Sequence, residues 1–175
     1  MPIDNLTPAR RMAIAAIMLG TVTGMGLLIA EMPTLTNTVG AGRIAGMGVA
    51  AGILLLVVLR LGLGAALEAK ERTAGIVLLL IGLAGASTAT LSHLNHSGGH
   101  AMAPEPVAVL DKQFKERTSK SPAQWKLHVR YREQDKWIDL PEAEWNRIEA
   151  GQTYNVRVIA GMLGYPVLVC PDSCR

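Results

Sequence analysis

A run of nineteen residues without a charge, MAIAAIMLGTVTGMGLLIA at 12–30, constrains this chain more than any other feature. An α-helix rises about 1.5 Å per residue, so about 20 apolar residues cross the roughly 30 Å hydrocarbon core of a bilayer. Because Arg10 and Arg11 precede the run, a cleavable signal peptide is the alternative, but the run is longer than a typical signal core and no Ala-x-Ala site follows it. We therefore expect 12–30 to be a transmembrane helix.

Two further segments have the same apolar character. The second span is predicted at 42–67, with Arg60 near its end, and the third at 73–94. The charged turn 68–72 between them is too short to be a domain, which predicts a tight antiparallel hairpin. No Asp, Glu, Lys or His lies in the middle of any span. That sequence pattern disfavours a transporter or pump, because ion pathways usually need such groups at depth.

The distribution of lysine and arginine predicts the orientation, because cytoplasmic loops are enriched in both residues. One side carries Arg43 alone, and the other carries five basic residues: Arg10, Arg11, Arg60, Lys70 and Arg72. We therefore expect a cytoplasmic N-terminus and delivery of 95–175 to the opposite side. In a bacterium this corresponds to a multi-pass protein of the inner membrane with a periplasmic C-terminal domain.

The composition changes near residue 100. Residues 1–100 hold six Lys/Arg and four Asp/Glu, whereas 101–175 hold eleven and ten. The net charge of +3 is small and mixed in sign, unlike the one-sided basic surface typical of nucleic-acid binding, so we expect no nucleic-acid partner. Glycine and proline at 95–108 predict a linker. It would join a membrane domain at 1–94 to an extracytoplasmic β-rich domain at 109–175.

Alternating bulky and polar residues predict the strands of the C-terminal domain. The predicted strands lie at 125–131, 136–140, 154–158 and 165–169. Proline and acids open the segment 141–148, which favours one short helix. The segment 111–117 is interpreted as a short helix or a frayed arm. The predicted fold class is α+β, with three transmembrane helices followed by a small, mostly antiparallel β domain with one short helix.

Glycines four residues apart occur in two spans, as Gly20 and Gly24 and as Gly48 and Gly52. This spacing places small residues on one helix face and lets two backbones approach closely. The partner of that face is either another helix of this chain, another membrane protein or a second copy.

Three of the four histidines and a methionine fall within ten residues, at His93, His96, His100 and Met102. Imidazoles bind zinc and copper, and a thioether favours Cu(I). If the third helix continues to His96, the first two histidines share one helix face. A solvated linker without metal is the alternative. The string HSGGHAM resembles the His/Met-rich segments of periplasmic copper proteins, which implies copper handling.

The two cysteines, Cys170 and Cys174, lie in the string CPDSC near the end of the sequence. Paired cysteines persist as disulfides in oxidising compartments, so a structural disulfide is one interpretation. The string also resembles the copper site of the Sco-type copper chaperones. That resemblance implies copper ligation by both cysteines, with His128 as a candidate third ligand.

A longer stretch, 125–160, resembles small bacterial membrane proteins of unknown function that carry a compact β-domain. The resemblance implies the β architecture and no activity. The sequence contains no G-x-S-x-G elbow, H-E-x-x-H or phosphate-binding glycine loop outside the spans, so we expect no enzymatic activity.

Large aromatic residues are the remaining indication of function. A small sheet buries one face, so some rings are expected on an interaction surface. The candidates are Trp125, Trp137, Trp145 and Tyr165. We therefore expect a non-enzymatic integral membrane protein whose β-domain and glycine-faced helices bind another membrane protein, as an accessory subunit, assembly factor or immunity-type partner. Copper or zinc handling by the His/Met segment and the cysteines is the alternative.

Overall fold

The computed structural model describes residues 7–63, 69–119 and 123–169, with the backbone alone at 59–63 and 69–72. Three long helices come first, α1 (Pro8–Asn37), α2 (Ala41–Leu63) and α3 (Ala69–Ser97). Each contains a segment long and apolar enough to cross a membrane. Six strands and a short helix follow: β1 (His100–Ala101), β2 (Glu105–Lys115), β3 (Gln124–Tyr131), β4 (Gln134–Leu140), α4 (Glu142–Trp145), β5 (Thr153–Ala160) and β6 (Val167–Val169). The predicted fold class is confirmed.

The helices α1 and α3 extend beyond the limits that apolarity predicts. α1 begins and ends several residues outside 12–30, and it runs through Pro33, which lacks a backbone N–H and removes one helical hydrogen bond. Apolarity reports the part of a helix that suits lipid, whereas the helix itself needs only its backbone hydrogen bonds and continues into polar sequence.

The described residues divide into two compact units. The helical unit comprises the residues up to 32 together with 42–93, and the β-unit comprises 33–41 and the residues from 94 onward. The helix-to-helix turn after α1 therefore belongs to the β-unit, which no pattern in the sequence indicated.

The segment 95–108 differs from the linker that its glycines and prolines predicted. It holds the end of α3, the strand β1 and the start of β2. Its glycines provide close approach: a Cβ built on Gly99 would lie 2.6 Å from the carbonyl oxygen of Ala160, and one on Gly98 would lie 2.6 Å from the sulfur of Met162. Glycine here permits packing that a side chain would obstruct.

Within the helical unit, glycines bring the backbones of α1 and α2 against α3. A Cβ built on Gly24 would overlap Gly82, and one on Gly48 would overlap Thr88. A Cβ on Gly52 would lie 2.7 Å from the backbone nitrogen of Ala84. These glycines, and Gly20 beside Leu79, therefore pack against a helix of the same chain, the first of the three alternatives.

The outward side chains of the helical unit are apolar, as contact with lipid requires. More than half of the surface of several of them is exposed, among them Met12, Leu19, Val22, Ile29, Leu54 and Val58.

In the β-unit, β1 and β2 form one interrupted strand along the same side of β5. His100 lies opposite Ala160 and Glu105 lies opposite Val156, in nearly continuous antiparallel register. Between the two strands, the N–H of Met102 still donates to the carbonyl of Val158 at 2.8 Å. β6 pairs with β5 as well.

The strand β2 replaces the helix or frayed arm predicted at 111–117. Its first residues, 105–108, pair with β5, and 108–115 pair with β3. A bulge between Val109 and Asp111 separates the two regions. Because a bulge bends a strand and increases its twist, β2 can serve two partners and curl the sheet. The pairing of 105–108 with β5 is non-local, and the bulge interrupts the alternation of side chains along β2, so the local sequence did not reveal this strand.

The core of the β-unit lies on one face of this curled sheet. Leu127, Val129, Val156 and Val158 have no exposed surface. Around them lie the other buried core residues, which include Val107, Val109, Tyr131, Ile138, Leu140, Ile148 and Leu168. The alternation predicted for β3, β4 and β5 is therefore the alternation between this core and the opposite face.

The turn after α1 fills the seam between β4 and β6. Among the described residues no ladder joins these two strands. Thr38 is fully buried, pairs with Val167 of β6, and accepts a hydrogen bond at its carbonyl from the Nζ of Lys136 in β4 at 2.9 Å. The N–H of Val39 donates to the carbonyl of Pro166 at 2.7 Å. A segment between two membrane helices thus completes the β-unit.

Candidate functional site

Two of the four aromatic candidates are engaged within the β-unit. The indole N–H of Trp145 donates to the carbonyl of Lys126 at 3.0 Å, and the ammonium of Lys112 lies 3.9 Å from the centre of the indole ring. The ring of Tyr165 lies against Gly40, whose φ of +82° favours glycine. These two aromatic residues hold the unit together and leave little surface for a partner.

The neighbourhood of Trp145 is further closed by Tyr154. The Tyr154 hydroxyl donates to Glu144 Oε2 at 2.9 Å. Burial, and then this hydrogen bond, raise the pKa of Tyr154 above its ordinary value. The hydroxyl therefore stays protonated and keeps donating at physiological pH.

A third candidate, Trp125, is half-buried on the core side of β3. Its ring lies 5.5 Å from that of Phe114, at an interplanar angle of 36°. Phe114 itself is 46% exposed. The pair lies on the core side of β2 and β3, near the ends of these strands where they approach the loop between them, and outside the buried core cluster.

The fourth candidate, Trp137, lies on the face of the sheet opposite the core. It stacks on His128 across β3 and β4, with ring centroids 4.5 Å apart and an interplanar angle of 10°. Trp137 remains 37% exposed. The buried residues Leu127 and Ile138 occupy the other face of the same two strands. The stack therefore adds nothing to the core and presents an aromatic surface to the surroundings.

Charged pairs flank the stack on both sides. Arg130 donates to Asp135 through two nitrogens, at 2.8 and 3.2 Å. The side-chain hydrogen bond from Arg130 lowers the pKa of Asp135, which keeps this carboxylate ionised. On the other side Lys126 lies 3.7 Å from Asp139. We name Trp137, His128 and these four residues the outer aromatic face.

One ring face of Trp137 is covered and the other is not backed by a strand. His128 covers the indole from the side of β3. In the described sheet β4 is the last strand of the order and pairs with β3 alone. The opposite face of the indole is therefore turned toward the sheet edge. An exposed aromatic ring beside carboxylate side chains can accept a flat or cationic group.

The predicted metal ligands are distributed over the two units. His93 belongs to the helical unit, where its Nδ1 lies 3.1 Å from Glu31 Oε1 of α1. His96 ends α3, and His100 and Met102 lie on or beside β1 in the β-unit. In the part of the chain that the structure describes, no group of three or more His, Cys, Asp or Glu side chains is placed to hold a metal. Copper or zinc binding stays a prediction.

The other predicted ligands differ in what the structure says of them. Cys170 and Cys174 lie outside the described residues, so their disulfide or copper role also stays a prediction. His128, the candidate third copper ligand, is the histidine that stacks on Trp137.

Asn95 is a residue of evident structural importance that the sequence analysis missed. It is fully buried. Its side chain donates to the carbonyl of Tyr165 at 2.8 Å and accepts from the N–H of Leu163 at 3.0 Å, while its own carbonyl accepts from the N–H of Met162 at 3.0 Å. The signal was an asparagine within an apolar helical pattern, where a polar side chain usually needs a partner.

Comparison of the chain with protein-family models, curated proteins and solved structures finds no match. The geometry of the outer aromatic face is therefore the main indication of function.

Proposed function

We propose that the chain is a non-enzymatic, membrane-anchored binding protein whose β-unit engages another membrane protein through the outer aromatic face. The observation that carries this proposal is the exposed Trp137–His128 stack on the face opposite the core. Large rings at such positions are enriched in protein interfaces, because they bury much surface at little entropic cost. An accessory subunit, assembly factor or immunity-type partner would use the surface in this way.

The glycine-faced helices play a smaller part in this proposal than the sequence suggested. Gly24, Gly48 and Gly52 lie against α3 of the same chain. The helices act as an anchor with an apolar surface toward lipid, and the specificity resides in the β-unit. We further propose that this unit lies on the periplasmic side of a bacterial inner membrane, since five of the six basic residues near the spans favour a cytoplasmic N-terminus.

The test is capture of a partner by the full-length chain from native membranes in mild detergent. Wild type should retain one membrane protein in a fixed ratio, and Trp137→Ala should lose most of it. Phe114→Ala is the matched control, because Phe114 is an aromatic residue on the core side of the sheet that is at least as exposed as Trp137. Loss of the partner in both variants, or in neither, would contradict the proposal.

A further inference from the structure

The arrangement of side chains on the outer aromatic face indicates the chemistry of its partner. Along β4, Asp135, Trp137 and Asp139 alternate with core residues and so share one face. The two carboxylates lie two residues before and two residues after the indole, which is about 7 Å along a strand in each direction. A ring between two anions is complementary to a cation that stacks on the ring.

The two carboxylates beside the ring keep acceptor positions that their ion pairs do not use. Three carboxylates, Asp111, Asp135 and Asp139, share this face with three cations, Lys115, Lys126 and Arg130, so the charges balance apart from His128. Asp135 is held by Arg130, but a carboxylate has about four acceptor positions and the pair uses two. Asp139 is bound less closely, at 3.7 Å from Lys126, and 56% of its side chain is exposed. Its oxygens therefore have room for a further donor.

The open ring face of Trp137 determines the orientation in which a cation can bind. His128 covers one side of the indole, and the other side faces the sheet edge beyond β4. A planar guanidinium can stack there and donate toward Asp139 at the same time. An ammonium group offers a point charge without a matching plane.

We propose that the outer aromatic face binds an arginine side chain of the partner protein, with the guanidinium stacked on the open face of Trp137 and hydrogen-bonded to Asp139. This inference rests on the proposed function and states which group of the partner is recognised. Asp139 and Trp137 recognise the cation, while His128 and Arg130 hold the ring and Asp135 in place.

The probe is the tripeptide acetyl-Gly-Arg-Gly-amide, titrated into the full-length chain in nanodiscs with ¹⁵N-labelled tryptophan. The indole signal of Trp137 is assigned by its loss in Trp137→Phe. It should shift with the arginine peptide, and the same peptide with neutral citrulline in place of arginine should leave it unmoved. An equal response to both peptides, or no response to arginine, would overturn the inference.

Two variants distinguish a specific contact with the Asp139 carboxylate from general charge attraction. Asp139→Asn should weaken the arginine peptide about fivefold, as the loss of one exposed ion pair predicts. Asp111→Asn is the matched control, because Asp111 lies on β2 opposite His128, on the covered side of the stack. The affinity of this variant for the arginine peptide should change less than about twofold. Equal losses in the two variants would show unspecific charge attraction and overturn the inference.

Two other outcomes distinguish this inference from the function on which it rests. A shift of the Trp137 indole signal with choline but not with the arginine peptide would indicate that a lipid headgroup is bound. It would overturn the inference that the cation belongs to a protein. Partner capture could instead depend on Trp137 but not on Asp139, and persist at 0.5 M salt, where charge attraction is screened at about 4 Å. That result would support the proposed function and overturn the inference that an arginine is bound.

Discussion

At the scale of single residues, two polar side chains form hydrogen bonds with buried backbone groups that apolar packing would leave without a partner. Asn95 satisfies the polar backbone of the loop that joins β5 to β6, and Lys136 satisfies the buried carbonyl of Thr38. A buried backbone group without a partner costs about as much as a lost hydrogen bond. Both residues therefore stabilise the β-unit through hydrogen bonds to the backbone of segments that lack regular secondary structure.

Asn95→Ala should lower the free energy of unfolding by about 2 to 4 kcal/mol, because it leaves the carbonyl of Tyr165 and the N–H of Leu163 without their partner. Denaturant unfolding of the full-length chain in detergent would measure this change. Asn155→Ala, at an exposed position of β5, should change stability by less than about 0.5 kcal/mol. Similar losses in both variants would contradict the role assigned to Asn95.

The partly buried ammonium of Lys136 predicts how the stability of the chain depends on pH. Burial lowers the pKa of Lys136 below its ordinary value of 10.5. In the window between the lowered pKa and 10.5, the unfolded chain binds more protons than the folded chain, so folding becomes more favourable as pH rises. The stability of wild type relative to Lys136→Met should therefore increase through that window. Melting temperatures of the two chains from pH 7 to 10.5 would measure it, and a constant or falling difference would be against it.

At the scale of elements, the packing of the helical unit depends on which glycines lie at a helix contact. Gly24 lies against Gly82 of α3, whereas a Cβ on Gly26, two residues later on α1, would meet nothing within 4 Å. The sequence pattern of small residues four apart indicated a close contact but not the partner helix. Only the assembled unit shows that α3 is the partner for both α1 and α2.

Gly24→Leu should destabilise the helical unit by about 1 to 3 kcal/mol or more, since a side chain there overlaps the backbone of α3. Gly26→Leu should be tolerated. Heating both variants in detergent and following the folded fraction by size-exclusion chromatography would compare them. Equal melting temperatures would show that the close contact of α1 with α3 is not needed.

At the scale of the whole molecule, the orientation in the membrane is the property that the proposed function requires most. An alkaline phosphatase fusion after Arg175 should be active, because that enzyme needs an oxidising compartment for its disulfides. A fusion within the charged segment 68–72 should be inactive. The reversed result would place the β-unit in the cytoplasm and overturn the proposed location.

The sequence by itself determined the three apolar helices, the alternating strands β3, β4 and β5 and the short helix before Gly151, because each follows from the period of its own side chains. It did not determine the strand β2, whose bulge interrupts the alternation of side chains and whose first residues pair with the distant strand β5. Nor did it determine that Thr38 and Asn95 are buried in the β-unit. It proposed four aromatic residues as a surface, and only the tertiary structure decided that Trp137 faces outward while Trp145 packs on the core. Local period sets which face a side chain shares with its neighbours, whereas the choice of the face that is covered depends on contacts between segments far apart in the chain.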